Sequence, residues 1–187
     1  MTSAPQPTRA ELLAAAGRTI ADVIAPGLRV LFCGINPGLY SGVTGHHFAR
    51  PGNRFWPALH AAGFTPRRLA PSEQHELLGL GYGITNLVER ATARADELAP
   101  AELIAGGARL HAKIAEYRPR VLAVLGVTAY RTAFGQPRAA LGRQPTPMHG
   151  TIVWIVPNPS GLNAHYQLAD LARVYGELRL AAEQGTP

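Results

Sequence analysis

The sequence predicts an α/β fold, a three-layer α/β/α sandwich with a short, mainly parallel central sheet. Three observations point there. Residues 28–33 (LRVLFC), 121–125 (VLAVL) and 152–156 (IVWIV) are short apolar runs, each followed by Gly or Pro, of the kind buried on both faces of a parallel sheet. Segments with apolar residues at helical spacing alternate with them. No repeat, linker or change of composition interrupts the pattern, so residues 8–183 are expected to form one domain behind a flexible tail at residues 1–7.

Taken in order, Thr8 with Glu11 makes a capping box, and Leu13, Ala16, Ile20 and Val23 extend a helix until Pro26-Gly27 stops it. The first strand follows at 28–33, then a Gly/Pro turn. Residues 53–62 read as a short helix closed by Gly63, and 72–80 as another. A longer helix over 101–117 rests on Leu103, Leu110, Ile114 and Tyr117, although Gly106-Gly107 weakens it. The second strand, a short helix near 128–134, a Pro-rich loop at 135–150 and the third strand come next. The last helix starts near Ala164 and carries Leu168, Leu171, Tyr175 and Leu178 on one face.

Composition removes several classes of function. Cys33 is the only cysteine, so disulfides, iron–sulfur clusters and Cys-rich zinc sites cannot be built within one chain. The histidines are scattered and the H-x-E…P-C-x-x-C array of zinc nucleobase deaminases is missing. His46-His47 reads as polar loop residues rather than a metal site. Neither a metal nor a cofactor is expected. The 18 basic residues comprise seventeen Arg and one Lys, Lys113, which follows no Gly-rich loop, and this excludes a Walker A site. A net charge of +6 favours an acidic partner, nucleic acid above all. No 18-residue apolar run exists and charges interrupt the first thirty residues, so a soluble, cytoplasmic protein is expected.

In parallel sheets ligands sit beyond the carboxyl ends of the strands, and there this chain places its least ordinary residues. The first strand runs into Gly34-Ile35-Asn36-Pro37-Gly38-Leu39-Tyr40-Ser41. Alone this is a tight turn. It is no dinucleotide fingerprint, because the glycine spacing is absent and Pro37 lacks an N–H. It also holds an amide, Asn36, at a strand end; an amide is no general base but can accept a hydrogen bond from a water and orient it. The last strand runs into Pro157-Asn158-Pro159-Ser160-Gly161-Leu162-Asn163. Leu162 is either an ordinary exposed leucine or an apolar wedge that enters a base stack. Between the two loops, Phe55 and Trp56 read as core, whereas Phe48 follows no period and offers a stacking platform for a base.

Four segments then fall in one order: Gly-Ile-Asn-Pro-Gly at 34–38, Asn-Arg-Phe-Trp at 53–56, Gly-Ile-Thr-Asn-Leu-Val-Glu-Arg at 83–90 and Asn-Pro-Ser-Gly-Leu at 158–162. With them the chain resembles the mismatch-specific uracil/thymine-DNA glycosylase family of the uracil-DNA glycosylase superfamily, over about residues 27 to 180. The resemblance implies a uracil-DNA glycosylase-like fold and a monofunctional enzyme that removes uracil, and with it thymine or ethenocytosine, mispaired with guanine in double-stranded DNA. By that likeness Asn36 positions the catalytic water, Phe48 stacks on the flipped base, and Ile35 and Ser41 line its pocket. Leu162 fills the gap left in the duplex, while Asn158, Ser160 and Gly161 approach the backbone and the widowed guanine.

The chemistry of the residues is compatible with this. An N-glycosidic bond can break through an oxocarbenium-like sugar, so one placed water suffices, and with no carboxylate at position 36 turnover is expected to be slow. No amine is available to trap the sugar, so strand cleavage is not expected. Asn86 can donate and accept toward a pyrimidine edge. Asn163-Ala164-His165 stands where some relatives have an arginine, which predicts a relaxed preference for the base opposite the lesion. Asp96, in the 91–100 loop, is an exposed or capping residue or an auxiliary to the water. Asp22 and Asp170 are expected on solvated helix faces, Glu89-Arg90 as a local ion pair, and Arg50, Arg54, Arg67 and Arg68 as phosphate contacts or a solvated basic face. A monomer suffices. The alternative is a non-catalytic DNA mismatch- or lesion-binding module with the same fold.

Overall fold

The computed structural model describes residues 6–184. Its centre is a five-stranded sheet of β1 (Val30–Gly34), β2 (Tyr82–Asn86), β3 (Val121–Leu125), β4 (Gly142–Arg143) and β5 (Ile152–Val156), ordered β2-β1-β3-β5-β4. The first four in that order are parallel and only the two-residue edge strand β4 is antiparallel. Around the sheet lie α1 (Arg9–Ala14), α2 (Leu39–Thr44), α3 (Phe55–Ala61), α4 (Glu76–Gly79), α5 (Pro100–Tyr117), α6 (Val127–Phe134) and α7 (Leu168–Gln184).

Strand alternation divides the core into two layers. Val30 and Phe32 of β1, with Val121, Ala123 and Leu125 of β3, face a cluster containing Phe55, Leu59, Phe64 and Tyr175, which come mostly from α3 and α7. Leu31, Cys33, Leu122, Val124, Val153 and Ile155 face the opposite way, onto Leu110 and Ile114 of α5 and Ala129 and Tyr130 of α6. This is the three-layer α/β/α sandwich expected. Phe55 and Trp56 are core, and the Thr8–Glu11 capping box is present.

The structure departs from the sequence reading in five places. The first helix ends at Ala14; Gly17 takes a positive φ, and Thr19 and Val23 run extended, bridging Arg90 and Ile84. Helix α2, strand β2 and strand β4 were not predicted. The last helix begins at Leu168, not near Ala164. Asp22 is no solvated face, because it receives Lys113 Nζ at 2.6 Å and the Thr85 hydroxyl at 2.9 Å. Arg90 pairs with Glu102 at 2.6 Å and not with Glu89, which lies 3.7 Å from Lys113 Nζ. The glycines that weakened α5 have a packing role: a Cβ on Gly106 would lie 2.2 Å from the Leu87 carbonyl oxygen, and on Gly107 2.6 Å from that of Ala133. Most of the predicted tail, residues 1–5, lies outside the described residues. Among the described residues, no helix is long and apolar enough to cross a membrane.

Candidate active site

Register decides which loops meet. Gly34 pairs with Asn86, and Leu125 with Val156, so the four parallel strands end at one edge. The chain after β2 then continues to pair with the chain after β1: Leu87 N–H donates to the Gly34 carbonyl, Val88 N–H to Ile35, and Thr92 N–H to Pro37, at 2.9, 2.9 and 3.1 Å. Between them opens a cleft of about 140 Å³, small against the roughly 300–1,000 Å³ of drug-sized pockets. Ile35, Asn36, Ser41, Phe48, Asn86, Asn158, Ser160 and Leu162 all line it.

Asn36 is clamped through its nitrogen. Nδ2 donates to the Arg90 carbonyl at 3.0 Å and to Thr92 Oγ1 at 2.7 Å. Thr92, itself buried, donates its hydroxyl hydrogen bond to the Arg94 carbonyl at 2.7 Å. Both amide protons are thus consumed, and Oδ1, which accepts nothing from the described residues, remains as the acceptor of the side chain. The Arg90 segment is held in turn by its ion pair with Glu102 on α5; that guanidinium and the Ala99 N–H hold the Glu102 carboxyl down to about 2.

Phe48 occupies a left-handed backbone conformation (φ 53°), uncommon for a large side chain. Its ring stacks on Phe55, with centroids 4.0 Å apart and planes 25° apart, so core aromatic packing fixes it at the cleft. Ser41, on α2, is buried, and its hydroxyl accepts the Ala49 N–H at 3.3 Å, tying α2 to the Phe48 loop. Gly34 has no room for a Cβ, which would lie 2.5 Å from Asn86 Oδ1 and 3.2 Å from the Phe48 ring.

The loop after β5 is built around Arg54. Its guanidinium donates to the carbonyls of Tyr166, Ser160 and Asn163, while its N–H donates to Pro159 at 3.0 Å. Ser160 N–H caps onto Asn158 Oδ1 at 3.1 Å, and Asn163 Nδ2 donates to the Asn158 carbonyl at 3.0 Å. From behind, the buried Tyr175 hydroxyl donates to the Pro157 carbonyl at 3.1 Å. Gly161 packs against Gly52, and Leu162 projects with 69% of its surface exposed.

The structure therefore brings the residues expected to form a base pocket, Asn36 and the tip of the second loop together. Two of the singled-out residues stand apart. Asp96 sits in a 3-10 turn at the rim, its side chain 63% exposed and paired with Arg94 at 2.7 Å; Arg94, not Asp96, lines the cleft. Asn163 spends its amide inside its own loop, since Oδ1 also accepts the His165 N–H. Of the arginines, Arg50 lines the cleft, Arg54 turns inward, and Arg67 is bound by Glu73 and Glu76. Sequence reasoning missed Thr92, the inward role of Arg54, and the burial of His47, a polar residue of the loop between α2 and α3. Each acts across more than forty residues of chain or through a backbone carbonyl, and neither leaves a local pattern. Among the described residues no group of three or more His, Cys, Asp or Glu is placed to hold a metal ion.

Residues 21–179 match the uracil DNA glycosylase superfamily, which takes in the whole sheet and both site loops. The chain belongs to that superfamily, whose members are DNA glycosylases.

Proposed function

We propose that the protein is a monofunctional uracil-DNA glycosylase of the mismatch-directed kind, which hydrolyses the N-glycosidic bond of uracil, and more slowly thymine or ethenocytosine, opposite guanine in duplex DNA. The observation that carries this is the clamped Asn36: a neutral amide with both protons spent and one oxygen left to hold a water at the mouth of a cleft sized for one flat ring.

The flipped base stacks against Phe48 and meets Asn86 at its edge, at a flipping cost of a few kcal/mol. Leu162 enters the vacated space in the stack, its backbone held rigid by Arg54. The bond from the sugar C1′ to the base nitrogen breaks, and the electron pair leaves with the base. A water held by Asn36 Oδ1 adds to C1′, and its proton passes to solvent because an amide does not take it. Position 36 thus contributes orientation without base catalysis, which limits the rate. With Asn163 occupied inside its loop and Ala164-His165 following, selection of the opposite guanine is relaxed, and uracil opposite adenine or in a single strand is also released.

The test is base release from a labelled duplex with one G:U pair at enzyme excess, followed by alkali. Strand breaks that need alkali and are lost in Asn36→Ala establish hydrolysis through Asn36. Activity surviving in that variant removes Asn36 from the water-positioning role. Tight duplex binding with no release from G:U, G:T or ethenocytosine substrates identifies a binding module. Failure to act on either U:A or single strands removes the relaxed-specificity reading.

A further inference from the structure

The Asn86 side chain has a fixed sense, and the residue that fixes it is His47. The His47 ring is buried, with Nε2 at 3.0 Å from the Ala21 carbonyl oxygen. A carbonyl only accepts, so Nε2 carries the proton, and in a neutral imidazole Nδ1 is then a bare acceptor. Asn86 Nδ2 lies 3.3 Å from Nδ1 and donates to it. The opposite sense would set an amide oxygen against a ring lone pair.

The ring has little freedom to move. The His47 N–H donates to buried Gln74 Oε1 at 2.8 Å, and its carbonyl accepts the Trp56 indole N–H at 3.0 Å. On the other side the Asn86 amide oxygen lies over Gly34, where a Cβ would come within 2.5 Å. Asn86 therefore presents one oxygen and one remaining N–H toward the cleft, in a set order.

That order carries information. A uracil or thymine edge offers an N3 proton and an O4 acceptor; a cytosine edge offers an N3 acceptor and an N4 donor. An amide free to turn over satisfies either, whereas one held in a single sense meets one edge with complementary groups and the other with like against like. We infer that His47 is a positioning residue that sets the sense of the Asn86 amide and thereby makes the cleft select a uracil- or thymine-type edge over a cytosine-type edge. This rests on the glycosylase reading of the same cleft.

The device is sensitive to acid. Protonated His47 donates from both nitrogens, so Asn86 must turn its oxygen toward the ring and reverse the order of its groups. The groups facing His47 are Asp22 before β1, His75 at the start of α4 and Lys113 on α5; burial outweighs Asp22 and the Ala21 carbonyl and holds the imidazole below its ordinary value of 6.5. The uracil preference is thus present at neutral pH and lost as pH falls through that lowered value.

The experiment measures Kd for duplexes with 2′-fluoro-2′-deoxyuridine or 2′-fluoro-2′-deoxycytidine opposite a tetrahydrofuran gap, where neither base is paired and the bond resists cleavage, from pH 8 to pH 5. The wild type is expected to favour the uridine duplex by about tenfold at pH 8, the scale of one mispaired buried polar contact, and to weaken in this preference only on the acid side of 6.5. H47F keeps the buried ring shape without the acceptor and brings the ratio to within about twofold at every pH. H47Q, whose Nε2 replaces the donor to Ala21 and whose Oε1 replaces the acceptor, keeps the ratio and makes it independent of pH. An undiminished ratio in folded H47F, an acid-dependent ratio in H47Q, or no preference in the wild type overturns the assignment; if H47F does not fold, H47Q decides. A wild type that keeps the binding ratio but releases no uracil from G:U supports the assignment and overturns only the hydrolytic reading.

Discussion

The loops after β1 and β5 both leave the carboxyl edge of the sheet, and they are stiffened in opposite ways. The Asn36 loop is held from outside: its amide protons go to the Arg90 carbonyl and to Thr92, and its carbonyls accept N–H groups from the chain that follows β2. The 157–163 loop is held from within, wrapped around one guanidinium and tied by its own asparagines. Outside support fixes a side chain to one orientation, which a positioned water requires. Inside support fixes a shape and leaves its tip exposed, which insertion into a duplex requires. On the proposed function, chemistry and duplex penetration fall to separate loops, and substitutions separate them.

The largest effect is expected at Asn36. N36A should lower single-turnover uracil release by about 10²–10³-fold on duplex and single strand alike, because the water loses its anchor whatever the substrate. R54L should follow, leaving the carbonyls of Ser160 and Asn163 without their donor; release from duplex falls about 10–100-fold while single-stranded uracil is affected far less, and the melting midpoint drops by several degrees. Equal losses on the two substrates would break the division between the loops. L162A sharpens it further, with a loss of about tenfold confined to duplex.

T92V comes next. It removes the hydroxyl that takes one Asn36 proton and frees the amide to rotate, so kcat falls about tenfold on both substrates with KM little changed. A rise in KM alone would show that Thr92 serves binding. The smallest effect concerns the ion pair behind Arg90. Its carboxyl is held down to about 2 in the folded protein against an ordinary 4.5, so its contribution is present above about pH 4.5 and lost as pH falls through about 2. The half-buried Arg90–Glu102 pair should therefore persist at pH 4, observable as an ionised Glu102 carboxylate by NMR, and E102Q should reduce release no more than a few-fold.

Elements buried on both faces were the legible ones. β1, β3 and β5 are nearly continuous apolar runs, and each was placed to within two residues. β2 hides because it carries Gly83 for close packing on Val23 and Leu28 and ends in the cleft-lining Asn86. The first helix was overextended because Ile20 and Val23 keep helical spacing by coincidence: both lie in an extended segment, and Val23 pairs across to Ile84 in an antiparallel bridge. In the site, Asn36, Phe48 and Leu162 were legible from short motifs at strand ends. Thr92, His47 and Arg54 were not, since their roles exist only once residues 36 and 92, 47 and 86, and 54 and 160 have been brought together by the sheet.

The clamp on Asn36 also bears on which enzymes can descend from this one. Exchanging the amide nitrogen for oxygen, N36D, would supply the missing general base by the smallest possible change, a single atom in the side chain. Yet the new oxygen would face the Arg90 carbonyl at the 3.0 Å now spanned by an N–H, and two acceptors at that distance repel. The acid would keep its proton to bridge the gap and would not serve as a base near neutral pH. A faster lineage therefore needs the Arg90–Thr92 segment to move first, so the contacts that orient the amide for its proposed role also isolate it from its most obvious improvement.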